Sequence, residues 1–282
     1  MTMRQPDWVK ANAFKNTRQT KQLLRSFKLN TVCEEARCPN RGHCFTKPTA
    51  TFMILGNSCT RTCGFCSVNR SHTQPVDNTE PERVAQAAHT LGLKHVVITS
   101  VTRDDLDDGG AEHFATTVNA VRRYLPDATI EVLTPDFKGD TEALKTVLEA
   151  SPDVFNHNVE TVPSLYPVVR PQAQYDRSLR VLRTARELYP DLKTKSGLML
   201  GLGEGYDECL SVLRDLAATG CCFLTIGQYM RPGKDNLPVV EYVHPDVFVR
   251  LKDAAVSMGF EFVASAPLVR SSMNAEEMIG SL

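Results

Sequence analysis

Between Thr51 and Ala264 short apolar runs alternate with longer amphipathic ones, and this alternation restricts the folds open to the chain more than any other feature. Strands are expected near Thr51–Leu55, His95–Thr99, Thr129–Leu133, Val154–Asn158, Thr194–Leu200 and Phe223–Gly227, with a last extended stretch at Glu261–Ala264. Helical patterning fills the intervals at Glu80–Leu91, Ala111–Tyr124, Thr141–Ala150, Tyr175–Leu188, Asp207–Ala218 and Pro245–Met258. Strands that alternate with helices form parallel βαβ units, because a parallel partner needs a crossover long enough to hold a helix. Six repeats suit a barrel better than a small doubly wound sheet, and a chain of 282 residues is ordinary for one. The expected class is therefore α/β, a partial TIM-type (β/α)6 barrel over residues 49–264, with an N-terminal extension over 1–48 and a C-terminal segment over 265–282.

In such folds ligands sit at the carboxyl ends of the strands. Polar signatures fall at those ends. Cysteines follow the first strand, Ser100–Asp105 the second, Asn156, Asn158 and Glu160 the fourth, Gly201–Glu204 the fifth and Gln228–Arg231 the sixth.

The cysteines after the first strand, Cys59, Cys63 and Cys66, have the spacing C-x3-C-x2-C. A loop this short wraps three thiolates around one inorganic centre and offers no fourth. Iron–sulfur cubes are normally held by four thiolates, so three leave one iron open to a group that is not protein. Cys63-x2-Cys66 alone would also serve as half a zinc site, but a zinc ribbon needs a second such pair and the sequence has none. Nine cysteines are an odd number, no secretory signal pattern precedes them, and disulfides are not expected. A reducing, cytoplasmic setting follows from that reading. A net charge of −1 argues against general nucleic-acid binding, and no run approaches the ~18 apolar residues of a membrane helix.

A second set, Cys33, Cys38 and Cys44, has the spacing C-x4-C-x5-C and charged neighbours, unlike core packing. Cys209, Cys221 and Cys222 share no such spacing and read as core residues. The basic arm before Cys33 (Arg4, Lys10, Lys15, Arg18, Lys21, Arg25, Lys28) includes a helix-like stretch at Asn16–Phe27. It fits a solvated extension and a basic collar for an acidic partner equally well.

C-x3-C-x2-C after a first strand is the signature of radical S-adenosylmethionine enzymes. With C-x4-C-x5-C upstream, the chain closely resembles the lipoyl synthases. The resemblance extends through Arg103-Asp104-Asp105-Leu106, Asp108-Gly109-Gly110, Asn156–Thr161, Val169-Arg170-Pro171, Lys195–Met199, Gly201–Glu204 and Gln228–Pro232.

The resemblance implies two 4Fe–4S clusters and S-adenosylmethionine, cleaved to 5′-deoxyadenosine and methionine. The first cluster would sit on Cys59, Cys63 and Cys66. The second, the sulfur donor, would sit on Cys33, Cys38 and Cys44 and on Ser272 of Arg270-Ser271-Ser272, where the family has Arg-Ser-Ser-Tyr and this chain has Met273. An alkoxide on iron is displaced more readily than a thiolate, which suits a cluster that gives up sulfide. The implied reaction puts sulfur on carbons 6 and 8 of a protein-bound octanoyl-lysine. The implied partners are octanoylated carrier domains (2-oxoacid dehydrogenase acyltransferase subunits and the glycine-cleavage carrier protein), an electron donor and a cluster-rebuilding protein. A monomer is expected.

Phe65, Asn156, Asn158, Glu160, Arg170 and Arg231 are the candidate contacts to S-adenosylmethionine. The asparagines and Glu160 have period-two spacing, so one strand would aim them to one side; structural hydrogen bonding is the alternative. Arg170 would pair either with a ligand carboxylate or with a surface acid. The acids Asp104, Asp105, Asp107 and Asp108 lack EF-hand spacing and suit a loop that caps the next helix. His43, His72 and His157 lie near these motifs, but hydrogen-atom abstraction needs no general base, so none is assigned a catalytic role.

Overall fold

The alternation is realised with most boundaries within two residues of expectation. The structure is a computed structural model, and it describes residues 4–10, 18–46 and 51–272. Met273 and part of the basic arm lie outside the described residues, as does the His43 side chain. Two units are distinguished: residues 12–61 with 67–155, and residues 1–11 and 62–66 with 156–282.

In the first of these units the chain runs through α1 (Arg18–Ser26), β1 (Asn30–Thr31), α2 (Val32–Glu35) and α3 (Arg41–Thr46). The barrel-type repeats follow as β2 (Thr51–Ile54), α4 (Glu80–Thr90), β3 (His95–Ser100), α5 (Ala111–Tyr124), β4 (Thr129–Leu133) and α6 (Thr141–Glu149). β1 pairs antiparallel with β2, while β2, β3 and β4 pair in parallel, Met53 beside Thr99 and Thr99 beside Leu133. β2 is buried throughout and β3 nearly so, as expected of parallel strands covered on both faces. Asp140 caps α6 by accepting from the amides of Glu142 and Ala143, and Asp108 accepts from Gly110 and Glu112 at the start of α5. The two-residue β1 and the short α2 and α3 carry no periodic signal, which is why the sequence reading left them unassigned.

β5 (Val154–Asn156) carries the chain into the second unit, which contains α7 (Tyr166–Val169), α8 (Tyr175–Leu188), β6 (Lys193–Leu200), α9 (Tyr206–Ala218), β7 (Phe223–Gln228), α10 (Pro245–Ser257) and β8 (Phe262–Ser265). β6, β7 and β8 pair in parallel, in chain order. The last extended stretch is thus a paired strand, in addition to the six expected. β5 stops two residues short of Asn158, because the backbone turns out of the strand: Glu160 lies at φ +67° and forms a single bridge to Leu198. Cys209, Cys221 and Cys222 are buried, as expected of core thiols. Among the described residues no helix is long and apolar enough to cross a membrane.

Candidate functional site

After β2 the chain leaves the strand through two left-handed positions, Leu55 at φ +65° and Gly56 at φ +86°. The loop that follows begins at a pinch point, where the Cys59 amide donates to the Asn69 carbonyl at 2.9 Å. Thr60 then binds the loop after β3. Its amide and hydroxyl each reach the Thr102 carbonyl at 3.0 Å, and its hydroxyl accepts from the Asp104 amide at 3.1 Å. The amides of Thr102 and Arg61 approach the Cys59 sulfur at 3.3 and 3.5 Å.

Arg61 is the anchor of this half of the loop. Its side chain is 5% exposed; Nε and Nη2 grip Asp104 at 2.7 and 3.0 Å, and Nη2 also reaches Asp136 at 2.6 Å. Burial works against the guanidinium charge, but the bonds to Asp104 and Asp136 outweigh it and hold the arginine protonated. Sequence reasoning missed this triad. Asp104 was visible as part of an acidic run, whereas Asp136 carries no motif and is brought in by the turn after β4. The other acids divide as expected of a capping loop: Asp108 caps α5, while Asp105 pairs with Arg103, whose side chain holds the Asp105 carboxyl down at about 2.

The second half of the loop is held by its own unit. The Gly64 amide donates to Val169 and its carbonyl accepts from Leu237, both at 2.9 Å. Asn236 Nδ2 donates to the Cys66 carbonyl at 2.8 Å, and Gln172 accepts from both the amide and hydroxyl of Thr62 at 3.2 Å. A Cβ at Gly64 would stand 2.7 Å from Leu237, so this position requires glycine. Phe65 packs against Val169, Leu202 and Tyr229.

Cys33 lies in α2, Cys38 in the following turn and Cys44 in α3, all in the first-described unit. The turn is closed by the Cys38 amide on the Cys33 carbonyl at 3.3 Å and the Cys44 amide on Asn40 at 3.0 Å. Burial first, then the neighbouring Cys38 and Cys44, push the Cys33 thiol up to about 12. Among the described residues no three Cys, His, Asp or Glu side chains stand in a closed ligand shell, and no described cysteine is in a disulfide. Both sets consist of undisulfided thiols, the donor type that iron–sulfur clusters take.

The polar residues at the end of β5 gather around the C-terminal segment. The Ser271 hydroxyl lies 3.0 Å from Asn156 Nδ2 and 3.2 Å from Asn158 Oδ1, and Asn158 Nδ2 donates to Glu160 at 3.1 Å. The asparagines do face one side, as their spacing implied. Glu160 reaches Asn158 from outside the strand. Burial raises the Glu160 carboxyl, with Arg170 and Asn158 opposing.

Arg170 braces the backbone through one of its nitrogens. Its Nη1 donates to the carbonyls of Asn158 and Val159 at 3.0 and 3.1 Å and to Tyr166 at 3.2 Å, bracing the backbone before Glu160. Arg231 is likewise bound to its own loop, on the carbonyls of Asn236 and Lys234. His157 meets Ser178 at 3.0 Å, a structural role. Glu204 closes the glycine-rich turn after β6 by accepting from the amides of Gly201 and Leu202, and burial raises its carboxyl.

With this geometry in view, comparison with known proteins is direct. Residues 53–216 match the family model "Radical SAM superfamily". A lipoyl synthase of Alkaliphilus metalliredigens is 54% identical over 98% of this chain and 96% of its own length. One from Rubrobacter xylanophilus is 56% identical over 96% of this chain and 85% of its own. Among solved structures, methylornithine synthase aligns with TM-score 0.55 at 14% identity, over 95% of this chain and 89% of that one, which shows a shared fold. A matching superfamily model over more than half of the chain and full-length relatives above 50% identity place the chain in the radical S-adenosylmethionine superfamily, within the lipoyl synthase family.

Proposed function

We propose that this enzyme inserts sulfur at carbons 6 and 8 of an octanoyl group held in amide linkage on a lysine of a carrier domain. The observation that carries this is the presence of two separate three-thiol sets in a chain that matches lipoyl synthases from end to end. A ferredoxin-like electron carrier would need four-cysteine runs. When bound, the cluster on Cys59, Cys63 and Cys66 with S-adenosylmethionine supplies the one-electron chemistry that removes hydrogen from an unactivated carbon. A second 4Fe–4S cluster, on Cys33, Cys38, Cys44 and Ser272, is the proposed source of sulfur.

The protein's own residues hold and orient. Arg61, clamped by Asp104 and Asp136, fixes the first half of the cysteine loop, and Asn236, braced by Arg231, fixes the second. Phe65 offers an apolar face and Glu160 an acceptor for the polar groups of S-adenosylmethionine, with Arg170 setting the turn that carries Glu160. Residues 1–48 and 265–282 are the extensions that carry the second cluster's ligands, on either side of a catalytic domain over 49–264. The substrates are octanoylated acyltransferase subunits of 2-oxoacid dehydrogenases and the glycine-cleavage carrier protein. An electron donor and a protein that rebuilds the spent cluster complete the cycle, in the cytoplasm.

The test is mass spectrometry of an octanoyl-lysine peptide after anaerobic incubation with S-adenosylmethionine and reductant. Insertion of two sulfur atoms is expected; cleavage of S-adenosylmethionine with an unchanged peptide would refute the substrate assignment. Replacing Cys59, Cys63 or Cys66 is expected to abolish the cleavage. Replacing Cys33, Cys38 or Cys44 is expected to spare cleavage and abolish sulfur insertion, and identical behaviour of the two sets would overturn their division of labour.

A further inference from the structure

The segment after β8 follows a defined path along the end of β7. The Ala266 amide donates to Ile226 at 3.1 Å and the Gln228 amide to Pro267 at 3.1 Å. Val269 passes so close that a Cβ on Gly227 would stand 2.2 Å from its carbonyl oxygen. The Val269 amide then closes a turn onto Ala266 at 3.0 Å, and Arg270 donates to the Pro267 carbonyl at 3.3 Å. The next residue is Ser271, and its hydroxyl is where the segment meets Asn156 and Asn158.

The sense of these hydrogen bonds is set from one end. Asn158 turns its amide nitrogen to Glu160 and its oxygen to Ser271. Ser271 must then donate to that oxygen, which leaves its lone pairs for the Asn156 amide nitrogen. Bonds of one sense polarise one another and strengthen together. Gly197 makes room for this arrangement, because a Cβ there would stand 2.7 Å from Asn158 Oδ1. Asn156 Nδ2 and Asn158 Oδ1 thus meet the C-terminal segment.

We propose that Asn156, Asn158 and Ser271 are positioning residues that dock the C-terminal segment, the segment that carries Ser272. The two adjacent serines have different tasks: the first anchors, the second ligates. This inference rests on the reading of Ser272 as an iron ligand, and the test separates the two.

The full-length chain carrying Cys59→Ala, Cys63→Ala and Cys66→Ala retains the second cluster alone, and a ferrous chelator then reports its iron release. In that background Ser271→Ala is expected to release iron about tenfold faster, equivalent to about 1.4 kcal/mol, while Ser271→Thr, which keeps the hydroxyl, keeps the parental rate. In the otherwise native chain, Ser271→Ala is expected to bind S-adenosylmethionine within about twofold of the parent, read by equilibrium dialysis. A parental release rate for Ser271→Ala beside a fast Ser272→Ala overturns the docking role and leaves the ligand assignment standing. Parental rates in both overturn the two together. Equal acceleration in Ser271→Ala and Ser271→Thr, or a large loss of S-adenosylmethionine binding in Ser271→Ala, also overturns the docking role.

Discussion

Replacing Arg61 with methionine keeps most of the side-chain volume and removes the charge that two carboxylates share. Asp136 has a side chain with no exposure and Asp104 one of 25%, so Asp136 loses the Arg61 charge in a site water does not reach. Removing one partner of a buried ion pair costs about 3–5 kcal/mol, because the remaining charge is left desolvated. With an unfolding entropy of about 2 cal/mol/K per residue, a chain of 282 residues carries roughly 0.6 kcal/mol/K, and the loss lowers the melting temperature by about 5–8 °C. Scanning calorimetry of the apo chain reads this shift. Iron content after anaerobic reconstitution reads the second consequence, poorer loading at Cys59, Cys63 and Cys66. Arg61→Lys is expected to recover little, since one ammonium cannot replace a fork that spans two carboxylates. If Arg61→Met melts within about 1 °C of the parent and loads iron normally, the triad does not organise the loop and the reasoning is wrong.

Gly227→Ala should force the C-terminal segment away from β7, since a Cβ has 2.2 Å to the Val269 carbonyl; faster proteolysis beyond Ser265 is expected, with a stability loss of about 1–3 kcal/mol. Cys209 is pushed up to about 12, by burial and then by Glu204 and Glu208. A raised folded-state value contributes stability below the unfolded thiol's ordinary range, and that contribution fades as pH rises from about 9 toward 12. The melting-temperature gap between the parent and Cys209→Ala should therefore narrow over that range; a constant gap would contradict the assignment. Asp108→Ala, which removes the acceptor at the start of α5, should cost about 1 kcal/mol and leave α6, capped by Asp140, unaffected in hydrogen exchange.

Elements with long periodic patterns were legible in the sequence. α5 and α8 have the bounds their patterning implies, and β3, β4, β6 and β7 lie within one residue of expectation. β1, α2 and α3 were not, because β1 has two residues and α2 and α3, of four and six, make fewer than two helical turns, too short to show a 3.6-residue period. The division of roles around the site was legible only in part. Cys59, Cys63 and Cys66 announce themselves by spacing, since a short loop is local chemistry. Arg170 and Arg231, candidate ligand contacts by sequence, donate to backbone carbonyls. A guanidinium's partner depends on which carbonyls are left unsatisfied nearby, and no spacing rule records that.

The sequence by itself determined the alternating α/β architecture, the two three-thiol sets and the family, because periodicity and short-range spacing are written in consecutive residues. Tertiary structure alone decided that Arg61 is clamped between Asp104 and Asp136, residues 43 and 75 positions away, and that Ser271 docks on Asn156 and Asn158 across 115 and 113 positions. Such partners meet because parallel strands bring their carboxyl ends together whatever the length of chain between them. A hydrogen bond across that distance is fixed by the fold's register, not by any pattern along the chain.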